Sequence, residues 1–282
     1  MATSQLPDRV ACYRHADHLT GVHCTRCGRP ICAECMVAAP VGHQCPTCVD
    51  EPGALAGPPP GRVRRTAHTH LFKLTPAVAG LIVINVVVYA LTRSHPAWKL
   101  DYAQIPLYIA QRQPYRLLTA VFVHEDLSHL LFNMAALFIM GPPVEEALGR
   151  ARFLALFLVS GVGGFVCSFC FGPVLGASLG ASGAIFGVFG AWFSLARARR
   201  ADTAAIVLLI AFLLAYSFYD TSIDWRAHVG GLITGVALGA AFAWTAQRLG
   251  GRSRWVVQVA AVAGLVAVFG VVVLVRSAQI RA

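Results

Sequence analysis

A serine, two histidines and an asparagine stand inside stretches otherwise made of aliphatic, aromatic and small residues. Ser182 lies in Gly180-Ala181-Ser182-Gly183 and His228 in Ala227-His228-Val229-Gly230-Gly231. His129 and Asn133 are four apart, which puts them on one face of a helix. A neutral imidazole can take the proton of a serine hydroxyl as that hydroxyl attacks a peptide carbonyl, and then hand it to the leaving amine. The oxyanion formed on the way needs preorganised donors, for which the His129 ring, the Asn133 amide and the Ser182 backbone N–H are the candidates. Each residue also has a plainer use: a serine among glycines packs helices, a buried histidine is often hydrogen-bonded structure, and a His/Asn pair can clamp two helices. All four together point to acyl transfer with Ser182 as nucleophile and His228 as general base.

A second set of chemical residues opens the chain. Cys12-x-x-His15, Cys24-x-x-Cys27, Cys32-x-x-Cys35 and Cys45-x-x-Cys48 are four ligand pairs, enough for two tetrahedral zinc sites. His43 could replace one ligand of one site, and His18 or His23 one of the other. Pairs at this spacing fit reduced thiolates on metal better than disulfides. Residues 1–50 hold too few apolar side chains for a core without metal, and protein fills every ligand position, so the two zinc ions are expected to be structural and not catalytic. Cys167 and Cys170, in an apolar stretch, read as packing residues.

The elements that must position Ser182 and its partners are membrane helices. Of 282 residues, 57% are hydrophobic and 13% charged, more apolar surface than one water-soluble core needs. A spanning helix takes about 20 mostly apolar residues. The sequence predicts seven, over 76–93, 127–145, 151–172, 180–198, 203–219, 226–248 and 254–276. A Pro/Gly-rich and basic linker over 51–75 joins them to the Cys/His module. The polar, Cys-rich start is not a cleavable signal, so the first span is expected to serve as the insertion signal. The net charge of +10 invites a nucleic-acid reading, but the basic residues sit at span ends, as at Arg150, Arg152, Arg197, Arg199, Arg200, Arg248, Arg252 and Arg254. With Arg62, Arg64, Arg65 and Lys73 they favour a cytoplasmic amino terminus by the positive-inside rule, and no nucleic-acid partner.

In that topology the second, fourth and sixth helices all run inward, so His129, Asn133, Ser182 and His228 share the outer half of the bilayer. Gly231, Gly235 and Gly239 follow His228 on its own face, and Gly183 and Gly187 flank Ser182, so two backbones can approach closely enough for a serine to reach an imidazole. The long connection over 94–126, with Trp98, Tyr102, Tyr108 and Tyr115, is too aromatic for a solvated tether and suits the membrane interface.

These motifs resemble those of the rhomboid intramembrane proteases over residues 76–248: His129-x-x-x-Asn133, Gly180-x-Ser182-Gly183 and Ala227-His228-x-x-Gly231-x-x-x-Gly235. His124 sits where many members carry another histidine, and Glu145 with Gly149 matches the acidic turn after the second helix. Tyr115-Arg116 stands in place of the usual Trp-Arg pair. The resemblance implies an all-α polytopic membrane protein, with a six-helix core over 76–250 and a seventh transmembrane helix and tail over 251–282. It implies a Ser–His dyad cleaving transmembrane protein substrates in the lipid bilayer, near its outer face, with Phe186 packed on the catalytic histidine. Residues 94–126 would be the family's membrane-embedded L1 loop.

The amino-terminal module looks like a B-box-type zinc finger. Its cross-braced arrangement would pair Cys12 and His15 with Cys32 and Cys35, and Cys24 and Cys27 with Cys45 and Cys48, and would suit a protein partner. Asp224, four before His228, could orient the imidazole as a third member, although a loop carboxylate is the preferred reading. Two rivals remain in view. An inactive relative that binds transmembrane clients would be expected to lack the serine or the histidine. A transporter would be expected to show broken helices and acidic residues deep in a span.

Overall fold

The structure is a computed structural model and describes residues 10–39, 41–50 and 74–282. The linker expected over 51–75, with Arg62, Arg64, Arg65 and Lys73, lies outside the described residues except for Leu74 and Thr75. The chain divides into two compact units on either side of residue 71.

In the smaller unit, β1 (Val10–Ala11) pairs antiparallel with β2 (Leu19–Thr20), and β3 (Val37–Ala38) with β4 (His43–Gln44). A short 3-10 turn at Ala33–Cys35 and helix α1 (Pro46–Asp50) complete it. Strands of two residues cannot support a core, and the buried apolar cluster here is six cysteines with Ile31.

The larger unit is helical because its apolar runs have no water to pair their backbones with, and a helix pairs every N–H and C=O internally. It holds α2 (Pro76–Ser94), three short helices α3 (Ala97–Tyr102), α4 (Pro106–Ala110) and α5 (Arg116–Thr119), then α6 (Leu127–Leu148), α7 (Arg150–Phe171), α8 (Ser182–Ala198), α9 (Ala204–Tyr219), α10 (Trp225–Arg248) and α11 (Gly251–Arg281). Among the described residues, α2, α6, α7, α10 and α11 are long and apolar enough to cross a membrane. The segment between α2 and α6 is folded, not extended: the buried Arg116 donates to the Leu100 and Ala103 carbonyls at 2.5 and 2.9 Å and to Gln113 Oε1 at 2.6 Å.

Three boundaries differ from the sequence reading, each for an identifiable reason. The second helix continues through Pro142 and Pro143 to Leu148, so Glu145 lies within it and not in a turn after it. Its carboxylate caps the start of α2, accepting from Ala77 N–H and Val78 N–H at 3.0 Å each and from the Thr75 hydroxyl. That satisfies donors a helix start leaves unpaired, beside Pro76, which has none to satisfy. The fourth helix begins at Ser182 and not at 180, because the chain before it is held open: Gln104 and Ser178 form an antiparallel bridge, and Gly180 N–H donates to Ala120 O at 2.9 Å. The last helix runs 31 residues, beyond the 254–276 expected, since Arg252, Arg254, Arg276 and Arg281 end the apolar window without ending the helix.

The tightest packing in the bundle is that of α10 against α8 and α7. A methyl group added at Gly231 would overlap the Gly183 carbonyl, one at Gly235 the Gly187 carbonyl, and one at Gly239 would lie 2.6 Å from Ala191 Cα. On the adjoining face a methyl group at Gly164 would lie 2.6 Å from the Ala227 carbonyl oxygen. Glycine is thus required for backbone-to-backbone contact along three successive turns of α10. Gly235→Ala should lower the unfolding midpoint in detergent and cost at least about 1–3 kcal/mol, since a backbone and not a side chain must move. Gly264→Ala on α11, where an added methyl meets nothing within 4 Å, should leave that midpoint unchanged in the same thermal assay.

Candidate active site

Ser182 is the first residue of α8. The first backbone bond of that helix closes from Ile185 N–H to Ala181 O at 3.0 Å, so the N–H groups of the first turn, that of Ser182 included, have no carbonyl within the helix. The serine therefore stands at the positive end of a helix dipole, where negative charge is stabilised.

His228 lies in the first turn of α10, which begins at Trp225. Its Nε2 is 2.8 Å from Ser182 Oγ. The Phe186 ring, one turn after Ser182 on α8, stacks on the imidazole at 4.3 Å between centroids and 19° between planes. On the other side of the ring, Nδ1 is 2.7 Å from the hydroxyl of Ser217, near the end of α9. The sequence reading missed Ser217. A serine in an apolar helix usually bonds its own preceding turn, and nothing in the spacing separates one that also meets an imidazole.

Asp224 does not reach His228 by a hydrogen bond. It caps α10, accepting from Arg226 N–H at 3.2 Å, and its other oxygen accepts from the Ser168 hydroxyl of α7. Arg226 lies 3.8 Å from the same carboxylate. Both oxygens are committed to holding the start of α10, which is the role of a structural carboxylate.

His129 and Asn133 are on α6, whose start is capped by Asp126 accepting from His129 N–H at 2.8 Å. The Ser128 hydroxyl and that N–H hold the Asp126 carboxyl below the usual carboxylate range. Asn133 donates one amide hydrogen to the His129 carbonyl at 2.9 Å, which orients the amide and leaves its second hydrogen free of that bond. The His129 ring lies against Gly180, two residues before Ser182. A methyl group at Gly180 would fall 2.7 Å from Cε1 and Nε2, and the φ of +121° there is one that side chains rarely adopt. Gly180 thus gives the His129 ring its place beside the loop that leads into Ser182. His124 packs edge-on to His129 at 5.1 Å and is buried, with Nδ1 3.3 Å from the Phe122 carbonyl.

A model of the Rhomboid domain matches residues 111–245, which contain Asn133, Ser182, His228 and both glycine rows. YdcA of Bacillus subtilis, named as a rhomboid protease, is 32% identical over 185 residues, covering 62% of this chain and 92% of that protein. The chain belongs to the rhomboid family. The rhomboid protease GluP of the same organism is 40% identical over 138 residues, 47% of this chain and 27% of GluP. RHOMBOID-like protein 1 of Arabidopsis thaliana is 31% identical over 151 residues, 51% of this chain and 38% of that one. This rhomboid thus spans nearly all of YdcA and well under half of the other two. With its several apolar helices it is a multi-pass membrane protein of a protease-type family.

The rhomboid match leaves the small Cys/His unit outside. Its ligand pairs converge in two clusters, Cys12, His15, Cys32 and Cys35, and Cys24, Cys27, Cys45 and Cys48, with the ligand atoms of each within 4.8 Å of one another. Burial raises the Cys12 thiol, but backbone N–H groups of Arg14, Cys32 and His15 outweigh it and lower it to about 6. Cys35, by contrast, is pushed up to about 11, by burial and then by the Cys12 and Cys32 sulfurs beside it. Thiols crowded this closely ionise together only around a cation, so both donor sets fit a metal ion. Of the alternative ligands, His18 lies near His15 with Cys32 and Glu34, while His43 and His23 are in neither cluster. Titrating the full chain with Co2+ is expected to give thiolate-to-metal absorption. Cys24→Ser with Cys45→Ser should reduce that absorption without removing it, because the other cluster stays intact.

Proposed function

We infer that this rhomboid is an intramembrane serine endopeptidase that cleaves peptide bonds in or near the transmembrane segments of other membrane proteins. The observation that carries the reading is the 2.8 Å contact between His228 Nε2 and Ser182 Oγ at the dipole end of α8. In the first step Ser182 Oγ forms a bond to the carbonyl carbon, its proton passes to His228 Nε2, and the carbonyl electron pair moves to oxygen. The oxyanion is received by the Ser182 N–H, the Asn133 amide and the His129 ring. Collapse breaks the C–N bond, and the proton on Nε2 goes to the departing amine. Water then gives a proton to Nε2 and attacks the acyl-enzyme, and a second collapse releases the acid and restores the Ser182 hydroxyl.

The domain arrangement follows the same reading: a cytoplasmic metal module over 1–50, a linker over 51–75, the protease core over 76–250 and the extra helix with its tail over 251–282. The amino terminus faces the cytoplasm and the dyad opens toward the outer side, as the basic span ends favour. The module holds two structural zinc ions in its tetrahedral donor sets and offers its surface to a protein partner.

In liposomes with a transmembrane substrate, Ser182→Ala and His228→Ala should each abolish cleavage, and a fluorophosphonate should label Ser182. Cleavage that survives either change sinks the dyad. Asn133→Ala should lower kcat by about 10² to 10³, the usual cost of one oxyanion donor. Asp224→Asn, by contrast, should leave kcat close to wild type, since both Asp224 oxygens are engaged elsewhere. Metal analysis of the purified chain should find two zinc ions, and one after Cys24→Ser with Cys45→Ser.

A further inference from the structure

We propose that Ser217 is a positioning residue that holds His228 in the one neutral tautomer able to act as a base toward Ser182. This rests on the dyad reading above and deepens it. Three short polar contacts run in series through the site: Ser217 Oγ to the Leu213 carbonyl at 2.7 Å, Ser217 Oγ to His228 Nδ1 at 2.7 Å, and His228 Nε2 to Ser182 Oγ at 2.8 Å. Each contact needs one hydrogen, and each group has a fixed supply. The Leu213 carbonyl is acceptor only, so the Ser217 hydroxyl must donate to it. Ser217 Oγ is then left with lone pairs toward His228, and Nδ1 must carry the hydrogen between them. A neutral imidazole holds one such hydrogen, so Nε2 is bare and accepts from the Ser182 hydroxyl.

The other tautomer breaks this series. With hydrogen on Nε2, Ser217 would have to turn its single hydrogen to Nδ1, which leaves two oxygens 2.7 Å apart at Leu213 with none between them. His228 would also donate to Ser182 and could not take its proton. Ser217 and His228 are both buried, so water cannot relieve the mismatch cheaply. When His228 accepts the Ser182 proton, its Nδ1–H keeps its acceptor, and a hydrogen bond from a charged donor is stronger than one from a neutral donor. In triads a carboxylate supplies this orienting contact. Here the nearby carboxylate, Asp224, is spent on capping α10 and on Ser168, and the neutral hydroxyl of α9 occupies the place beside Nδ1.

The test uses the full chain in liposomes, as wild type, Ser217→Ala, Ser217→Thr and Ser182→Ala, with one transmembrane substrate and a fluorophosphonate probe. Ser217→Ala should lower kcat roughly 10- to 100-fold, the effect of leaving a buried donor without its acceptor. KM should stay within about two-fold, because the residue meets the base and not the substrate. Fluorophosphonate labelling should slow in step with kcat, and Ser217→Thr, which keeps the hydroxyl, should restore most of both. Nitrogen NMR of histidine-labelled wild-type protein should show His228 protonated at Nδ1, and this measurement needs no variant to fold. The proposal is overturned if wild-type His228 is protonated at Nε2, if Ser217→Ala keeps full kcat, or if its loss comes with a lower unfolding midpoint that Ser217→Thr does not repair. Cleavage retained by Ser182→Ala would overturn the dyad itself. A dead Ser182→Ala beside an unimpaired Ser217→Ala would overturn only the role of Ser217.

Discussion

Everything at the site depends on how near two helix backbones can come. Side chains on ordinary packed helices keep the axes about 8–10 Å apart. A serine at the start of one helix and a histidine in the first turn of another meet at hydrogen-bond distance only if that separation shrinks. Here Gly231 rests on the Gly183 carbonyl and Gly235 on the Gly187 carbonyl, so α10 touches α8 backbone to backbone just below Ser182 and His228. In lipid there is no hydrophobic gain from pressing helices together, and close packing of small residues with interhelical polar contacts does that work instead. The glycines therefore set the distance between Ser182 and His228 as well as holding the bundle together.

Around this contact several buried polar groups are spent on particular helix starts and carbonyls. Glu145 from α6 satisfies the start of α2, Asp224 satisfies the start of α10 and ties it to α7, and Arg116 holds the folded segment between α2 and α6 through two carbonyls. Such groups are expensive to bury without partners and rigid once paired. Rigidity is what the proposed chemistry requires, since a serine attack tolerates little misplacement. The helix α9 contrasts with this, because apart from Ile206 and Ser217 its side chains stay at least partly exposed. Its contribution to the site is the Ser217 hydroxyl.

Much of this was legible in the chain itself. Apolar runs separated by basic ends mark the helices, because a helix pairs its own backbone groups where lipid offers no partner. The glycine spacing after His228 and around Ser182 marks which faces touch. What could not be read were ends and partners. The second helix passes through Pro142 and Pro143 to Leu148, so Glu145 looked like a turn residue. The start of α8 is decided by a bridge between Gln104 and Ser178, residues 74 positions apart. The last helix outruns its apolar window because arginine ends an apolar run without disfavouring the helical backbone.

The division between the two kinds of information is physical. Residue type and local spacing determined that this chain forms membrane helices, that a serine and a histidine able to serve as nucleophile and base stand near helix starts, and that paired cysteines and a histidine can hold metal. Those are properties of a residue and its neighbours along the chain. Only the tertiary structure decided that His228 faces Ser217 and not Asp224, that the Gly180 position belongs to the His129 ring, and which cysteine pairs share a cluster. A hydrogen bond between helices is fixed by the rotation and depth of both, and the glycine contact between α8 and α10 sets those quantities across 46 residues of chain, from Ser182 to His228.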